Sequence, residues 1–179
     1  LTALLLSMAL ALLAYYLWTP VRRIQGVNLL QSRTIGFDQP ATRASFRRLK
    51  EIGGNSVAFV PFIHQDRPDS LVLKVSDAVT RAQLLGGIRS ARKAGLRIIL
   101  KPQLLIPGSW ASAIDHTQAA AWSAWFDAYQ KILLEHARLA QAERVDILVI
   151  GTELKHAGQR PEWLDVIASI RQIYSGELS

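Results

Sequence analysis

The chain has 179 residues, of which 50% are hydrophobic, so it can form a domain with a substantial core and is not a largely disordered protein. It contains no cysteine, which excludes disulfides, thiolate metal sites and cysteine nucleophiles. The net charge of +7 is compatible with nucleic-acid binding. The basic residues are scattered over predicted helix faces without interleaved aromatic residues, however, so we expect no nucleic-acid partner.

An apolar segment opens the sequence. Residues 1–18 carry no charge and end in a cluster of aromatic residues, as a segment does where it meets lipid headgroups. The run is longer than the apolar core of a secretory signal, which favours an uncleaved anchor over a removed signal peptide. We therefore predict a transmembrane anchor or signal segment over residues 1–19 and a juxtamembrane linker over residues 20–23. The expected protein is single-pass in the cell membrane, with its main domain extracytoplasmic, either periplasmic or extracellular.

Residues 24–179 alternate short β-rich runs with longer helical ones. This alternation is typical of βα units on a parallel sheet. Strands are predicted at residues 24–29, 56–61, 96–100 and 145–151, and helices at about 41–52, 77–95, 117–142 and from 161 onward. Residues 62–75 are predicted as a long polar connection, with Ser76 and Asp77 as the N-cap of the second helix. Residues 175–179 indicate a turn and the start of a fifth strand.

Consecutive βα units form either a doubly wound sheet or a barrel. The first connection has no G-x-G-x-x-G motif, so no dinucleotide fingerprint supports the doubly wound sheet. We therefore predict an α/β fold made of the first four βα units of a (β/α)8 TIM barrel, preceded by an N-terminal transmembrane or signal-anchor helix. Residues 24–179 would then form the N-terminal half of the barrel. With two sheet edges unpaired, this half should be poorly soluble when expressed alone.

Reactive groups of a TIM barrel stand at the carboxyl ends of its strands. This rule selects Asn28, His64, Lys101, Gln103, Trp110, Thr152 and Glu153. Glu153 is the strongest candidate for a catalytic or ligand-binding role, because it directly follows the most hydrophobic strand, where no solvated helix face explains a carboxylate. The alternative is a structural strand-end glutamate whose partner is Lys155.

The other candidates also have two interpretations. Lys101 at a strand end can form a Schiff base, as in a lysine-dependent aldolase, or can hydrogen-bond sugar hydroxyls. Trp110 can stack on a sugar ring or pack in the core. The histidines show no H-E-x-x-H spacing, so we expect no metal site.

Several segments occur in a familiar order. GVNL at 26–29, GNSV at 54–57, GLRIILKP at 95–102 and IGTEL at 150–154 together resemble the β-mannanase-like TIM barrels of glycoside hydrolase family 113. The resemblance implies a retaining clan A hydrolase, without a cofactor, acting on a β-linked polysaccharide or oligosaccharide. It implies Glu153 as general acid/base and a second glutamate, at the end of the seventh strand and beyond Ser179, as nucleophile. Half a barrel alone would then be inactive.

The sequence also departs from the pattern of that family. Thr152 occupies a position where many clan members have asparagine, Gln103 stands where the family often has histidine, and Lys155 replaces a small residue. Gln103 and Thr152 belong to the expected sugar-binding set, namely Asn28, His64, Lys101, Gln103, Trp110 and Thr152. The alternative function is therefore a membrane-tethered barrel that binds polysaccharide without cutting it.

Overall fold

The computed structural model describes residues 23–30 and 35–179. In this part of the chain, in order, lie β1 (Gly26–Leu30), α1 (Pro40–Glu51), β2 (Ser56–Val60), β3 (Phe62–Gln65), β4 (Leu73–Val75), α2 (Arg81–Lys93), β5 (Arg97–Leu100), β6 (Gln103–Leu105), α3 (Ala119–Ala142), β7 (Ile147–Leu148), α4 (Trp163–Arg171) and β8 (Glu177–Leu178). Short 3₁₀ turns precede α3 and α4. The predicted anchor at residues 1–19 lies outside the described residues. Among the residues described, no helix is long and apolar enough to cross a membrane.

The main sheet has five parallel strands in the order β1-β2-β5-β7-β8. Each strand is joined to its neighbour by a helical connection, as predicted from the alternating pattern. Every residue of β2 is buried, which explains why this strand is an uninterrupted apolar run without alternation. The predicted α/β fold is thereby confirmed: the sheet is that of a partial TIM barrel.

Helix α2 lies very close to the sheet. A Cβ atom on Gly87 would come within 2.7 Å of the Phe37 Cβ atom and 2.8 Å of the Phe59 ring, so only glycine allows this approach. The helix begins later than predicted. Its N-cap is Thr80, whose side chain accepts from the Gln83 backbone while the Gln83 side chain accepts from the Thr80 backbone. This reciprocal capping box satisfies two backbone N–H groups, and the prediction of Ser76 and Asp77 as the cap was wrong.

A second, smaller sheet was not predicted. It has the strand order β4-β3-β6 and contains residues 62–75, which the sequence pattern had indicated as a loop. Only Pro61 separates β3 from β2, and β6 follows β5 after two residues, so both strands continue from the main sheet. In β3 the side chains of Ile63 and Gln65 are buried, which is the alternation of a strand with one covered face.

The buried polar residue Gln65 fixes the small sheet to α3. Its amide donates to the backbone oxygens of Arg67 and Pro68, at 2.8 and 3.1 Å, and its Oε1 accepts from the indole nitrogen of Trp125 at 3.1 Å. Both the nitrogen and the oxygen of the buried Gln65 amide thus have hydrogen-bond partners within the protein. The small sheet is therefore a fixed wall and not a mobile loop.

Candidate active site

An open cleft lies at the carboxyl ends of the strands. Its lining includes Asn28, His64, Lys101, Gln103, Trp110 and Glu153. Thr152 joins this set through a hydrogen bond to Gln103. The structure therefore brings together all of the residues selected from the sequence. The apolar part of the lining, which includes Leu30, Phe62 and Leu105, was not predicted, because apolar residues just beyond the predicted strands give no signal of a site in the sequence.

Glu153 has an unusual backbone conformation. Its φ is +60°, in the left-handed region that costs a residue with a side chain roughly 1–2 kcal/mol. The conformation turns the chain sharply after β7 and leaves the side chain exposed at the cleft. Strained backbone of this kind is concentrated at functional sites, where the surrounding structure stabilises it.

Two hydrogen bonds join Thr152 and Glu153 to Gln103, near the end of the neighbouring strand β5. The Gln103 Nε2 atom donates to Glu153 Oε2 at 3.2 Å, and the Thr152 hydroxyl donates to Gln103 Oε1 at 3.0 Å. Within residues 23–30 and 35–179, no ion pair joins Glu153 to Lys155 or to any other cation. The alternative interpretation, a structural glutamate paired with Lys155, is not what the structure shows.

The position of Gln103 is set by the small sheet. Its backbone N–H donates to the Pro61 oxygen at 2.9 Å, and it pairs with Phe62 in the parallel register of β3 and β6. These backbone contacts place the amide side chain beside Glu153, on a different segment of the chain. The unpredicted sheet therefore contributes directly to the geometry of the site.

Trp110 is 71% exposed, so it is not part of the core. It lies in the loop after β6 and shares with Glu153 both the main cleft and a smaller depression that also includes Lys155. An exposed aromatic face next to a strand-end carboxylate offers a flat apolar platform for a ring-shaped ligand.

Lys101 follows β5 and is half-buried at the cleft, with its backbone N–H bonded to the Phe59 oxygen at 2.8 Å. Nothing in the described part of the chain pairs its ammonium group with a carboxylate within ion-pair distance. Its amine is thus available to a ligand in the cleft. In the described residues, no group of three histidine, aspartate or glutamate side chains is placed to hold a metal ion.

An aromatic cluster supports the loop that carries Glu153. We use this name for Trp122, Trp125, Phe126, Tyr129 and Trp163, whose rings meet at centroid distances of 4.9–6.2 Å. The Tyr129 hydroxyl donates to the Ile150 oxygen at 3.0 Å, and the Trp163 indole donates to the Ala157 oxygen at 2.8 Å. These bonds hold the backbone on both sides of Glu153. Burial raises the pKa of Tyr129 above its ordinary value, so the hydroxyl stays a neutral donor.

The cluster is extended by two residues of ionisable type. The Arg160 guanidinium lies 5.2 Å from the centroid of the Trp122 ring, and the ring of His116 meets the same tryptophan edge to face at 4.8 Å. Burial lowers the pKa of His116, which favours the neutral ring. Arg160 belongs to the segment that follows Glu153, so this contact too fixes the loop.

The fold and the site together define a class: a partial TIM barrel with a carboxylate held at the end of one strand, beside an exposed aromatic ring. Comparison with known families gives the particular member of that class. The sequence model of Glycoside Hydrolase Family 113 matches residues 30–179. The chain belongs to this family, as its sequence motifs indicated.

Solved structures show the same fold. Two structures of a GH113 β-1,4-mannanase, one of them a complex, match with TM-scores of 0.76 and 0.75 at 24% and 23% identity, and the match covers 87% of this chain and 54% of theirs. The GH113 β-mannanase AaManA from Alicyclobacillus acidocaldarius, in complex with ManMIm, matches with a TM-score of 0.73 at 24% identity, over 87% of this chain and 53% of that one. The chain thus spans about half the length of these structures. Comparison with curated proteins gives no significant match.

Proposed function

We propose that the full-length protein that contains this chain is a retaining glycoside hydrolase of β-linked polysaccharide or oligosaccharide, with Glu153 as its general acid/base. Here full-length protein means the complete product of the encoding gene. The observation that carries the proposal is the placement of Glu153: an exposed carboxyl group on a left-handed backbone, at a strand end and in the same cleft as Trp110. Membership of a glycoside hydrolase family supports the reaction class.

The chemistry proceeds in two steps. In the first, Glu153 gives its proton to the glycosidic oxygen while a second carboxylate attacks the anomeric carbon, which breaks the bond to the leaving sugar and forms a glycosyl-enzyme ester. In the second, ionised Glu153 takes a proton from water as that water attacks the same carbon and releases the nucleophile. The two carboxyl groups need a separation of about 5–5.5 Å. We propose that the nucleophile is a glutamate encoded beyond Ser179.

The cleft supplies contacts suited to a sugar. Trp110 is exposed, and Asn28, His64 and Lys101 line the same cleft, which supports the proposal that the tryptophan stacks on a sugar ring while the other three bond hydroxyl groups. Because the structural neighbours are β-1,4-mannanases by name, β-1,4-linked mannan is the first substrate to test. The departures at Gln103 and Thr152 lie next to Glu153, so related β-linked glycans belong in the same panel.

The decisive test replaces Glu153 by glutamine in the full-length protein. We expect hydrolysis of the best β-linked substrate to fall by about 10²–10⁴-fold, because the amide cannot donate a proton to the leaving oxygen. Glu51→Gln is the matched control, since it makes the same charge change at an exposed position at the end of α1. Turnover of Glu153→Gln at the level of the unsubstituted protein would contradict the proposal.

The same experiments separate hydrolysis from simple binding. If the unsubstituted protein binds β-linked glycans but releases no reducing sugar from any of them, the protein is a non-catalytic polysaccharide-binding barrel. Borohydride trapping with carbonyl compounds addresses the Schiff-base interpretation of Lys101, which a covalent adduct on that lysine would support.

We further propose that residues 1–18 anchor the protein in the cell membrane, with the barrel on the extracytoplasmic side. The uncharged apolar run and its terminal aromatic residues support this proposal. Membrane fractionation should recover the full-length protein with the membranes and a variant lacking residues 1–23 in the soluble fraction. Equal recovery of both forms in the soluble fraction would disprove the anchor.

A further inference from the structure

Gln103 lies between Thr152 and Glu153 and bonds both. We propose that Gln103 is a positioning residue that, together with Thr152, holds the Glu153 carboxyl group in place in both of its protonation states. This inference rests on the proposed function of Glu153 as acid/base. It assigns to Gln103 and Thr152 a role in proton transfer, beyond the sugar contacts expected for them.

The direction of the two hydrogen bonds follows from the chemistry of the groups. An ionised carboxylate can only accept hydrogen bonds, so the NH₂ side of the Gln103 amide must face Glu153. The amide oxygen then faces Thr152, whose hydroxyl donates to it. The geometry, with 3.2 Å from Nε2 to the carboxylate and 3.0 Å from the hydroxyl to Oε1, suits this arrangement.

The same hydrogen-bonding partners, Gln103 and Thr152, can also hold Glu153 when its carboxyl group is protonated. When Glu153 carries its proton, a half-turn of the Gln103 amide presents Oε1 to the carboxyl O–H and Nε2 to Thr152. The hydroxyl of Thr152 can accept as well as donate, so it follows the turn by rotating its own hydrogen. In each state, Gln103 thus keeps one hydrogen bond to Glu153 and one to Thr152.

The backbone of Gln103 is held by a strand pairing. It is held by the register between β3 and β6, and β3 is fixed to α3 through the bond between Gln65 and Trp125. Glu153, in contrast, has an exposed side chain, and Gln103 is its one hydrogen-bonding side-chain partner within residues 23–30 and 35–179. Loss of the Gln103 amide would leave the carboxyl group free to sample other rotamers.

The test uses Gln103→Met, which keeps the length of the side chain and removes its hydrogen bonds. Activity is measured on a β-1,4-mannooligosaccharide and on a dinitrophenyl glycoside of the same sugar. The sugar leaving group needs a proton from Glu153, whereas dinitrophenolate leaves without one. We expect kcat/KM to fall by about tenfold or more for the oligosaccharide and by less than about twofold for the dinitrophenyl glycoside. Equal losses on both substrates would overturn the inference, because they indicate a structural or sugar-binding role.

Thr152 provides a second, matched pair of variants. Thr152→Val keeps the shape of the side chain and removes the hydroxyl that orients the amide, so it should show the same selective loss at a smaller size, about threefold. Thr152→Ser keeps the hydroxyl and should retain the behaviour of the unsubstituted protein. A Thr152→Ser variant as impaired as Thr152→Val, or a Thr152→Val variant without selective loss, would contradict the role given to the hydroxyl.

Glu153→Gln, measured on the same two substrates, distinguishes failure of this inference from failure of the proposed function. If Glu153→Gln shows the selective loss and Gln103→Met does not, only the positioning role is wrong. If Glu153→Gln loses no more activity on the oligosaccharide than on the dinitrophenyl glycoside, Glu153 is not the acid/base. If the unsubstituted protein hydrolyses neither these two substrates nor any other β-linked glycan of the panel, both proposals fail together.

Discussion

The aromatic cluster and the cleft both adjoin the loop that carries Glu153, but they differ in solvent exposure. Trp125 and Tyr129 are completely buried and their polar atoms are bonded, whereas Trp110 and Glu153 are exposed. The cluster bonds backbone atoms on both sides of Glu153. The comparison teaches that the side chains that stabilise this loop lie on α3 and α4 and differ from those exposed at the cleft, while the bond from Trp125 to Gln65 links the cluster to the small sheet beside the cleft.

The largest effect on stability is expected from Trp125→Ala. The substitution removes a fully buried indole and leaves the Gln65 carbonyl without its donor, so the free energy of unfolding should fall by about 3–5 kcal/mol. The matched control is Trp110→Ala, which should change that free energy by less than about 0.5 kcal/mol and raise KM instead. Urea unfolding of the full-length protein followed by circular dichroism measures both. Equal destabilisation by the two variants would refute the division between cluster and cleft.

An intermediate effect should appear at high pH and depends on buried Tyr174. Its hydroxyl donates to the Val145 oxygen at 2.8 Å, and burial raises its pKa to about 12 from 10.0. The folded state therefore holds this proton more tightly than the unfolded state does. The contribution of Tyr174 to the free energy of unfolding is therefore complete below about pH 10. It is lost as the pH rises toward 12, by up to about 1.4 kcal/mol per pH unit.

Tyr174→Phe tests this expectation, because phenylalanine cannot ionise. The variant should be less stable at neutral pH, where it lacks the bond to Val145, and its stability should decline less steeply with pH between about 10 and 12. Unfolding in urea at a series of pH values gives both quantities. An identical slope in the variant and the unsubstituted protein would show that Tyr174 does not contribute.

The smallest effect concerns the left-handed backbone of Glu153. Glycine adopts φ of +60° without strain, so Glu153→Gly should be more stable than Glu153→Ala by about 1 kcal/mol, and both should be inactive. The control pair is Lys155→Gly and Lys155→Ala. Position 155 has no positive φ, so there the glycine variant should be the less stable one. The same preference at both positions would contradict the assigned conformation.

Much of the main sheet could be predicted from the sequence. Buried parallel strands such as β2 are continuous apolar runs, and Gly95 marks the end of α2 with its φ of +74°. The rule that reactive groups stand at strand ends predicted Glu153 as a site residue. It works because parallel strands bring the side chains at their carboxyl ends to one side of the sheet. It did not depend on any detail of the loops.

The small sheet and the hydrogen bond from Gln103 to Glu153 could not be predicted from the sequence. Strand β3 is only four residues long and includes His64 and Gln65, so its alternation looks like a polar loop. The predicted start of α2 was wrong because two nearby segments carry residues that can cap a helix. Only Thr80 is followed three positions later by a glutamine, Gln83, which completes a capping box. The bond from Gln103 to Glu153 depends on the β3–β6 register, which joins residues that are distant in sequence.

The hairpin of β3 and β4 has a consequence for how this fold tolerates added sequence. Its turn, around residues 66–72, is largely exposed, while Gln65 fixes the base of the hairpin and the capping box of Thr80 starts α2 independently of it. Extra residues inserted between residues 69 and 72 would leave both anchoring points unchanged, because the Gln65 amide bonds the backbone of Arg67 and Pro68 at the start of the turn. Because His64 on the same hairpin lines the cleft, a longer turn would extend the wall of the binding site. A longer turn in this hairpin would therefore change the shape of the cleft while the main sheet stays the same.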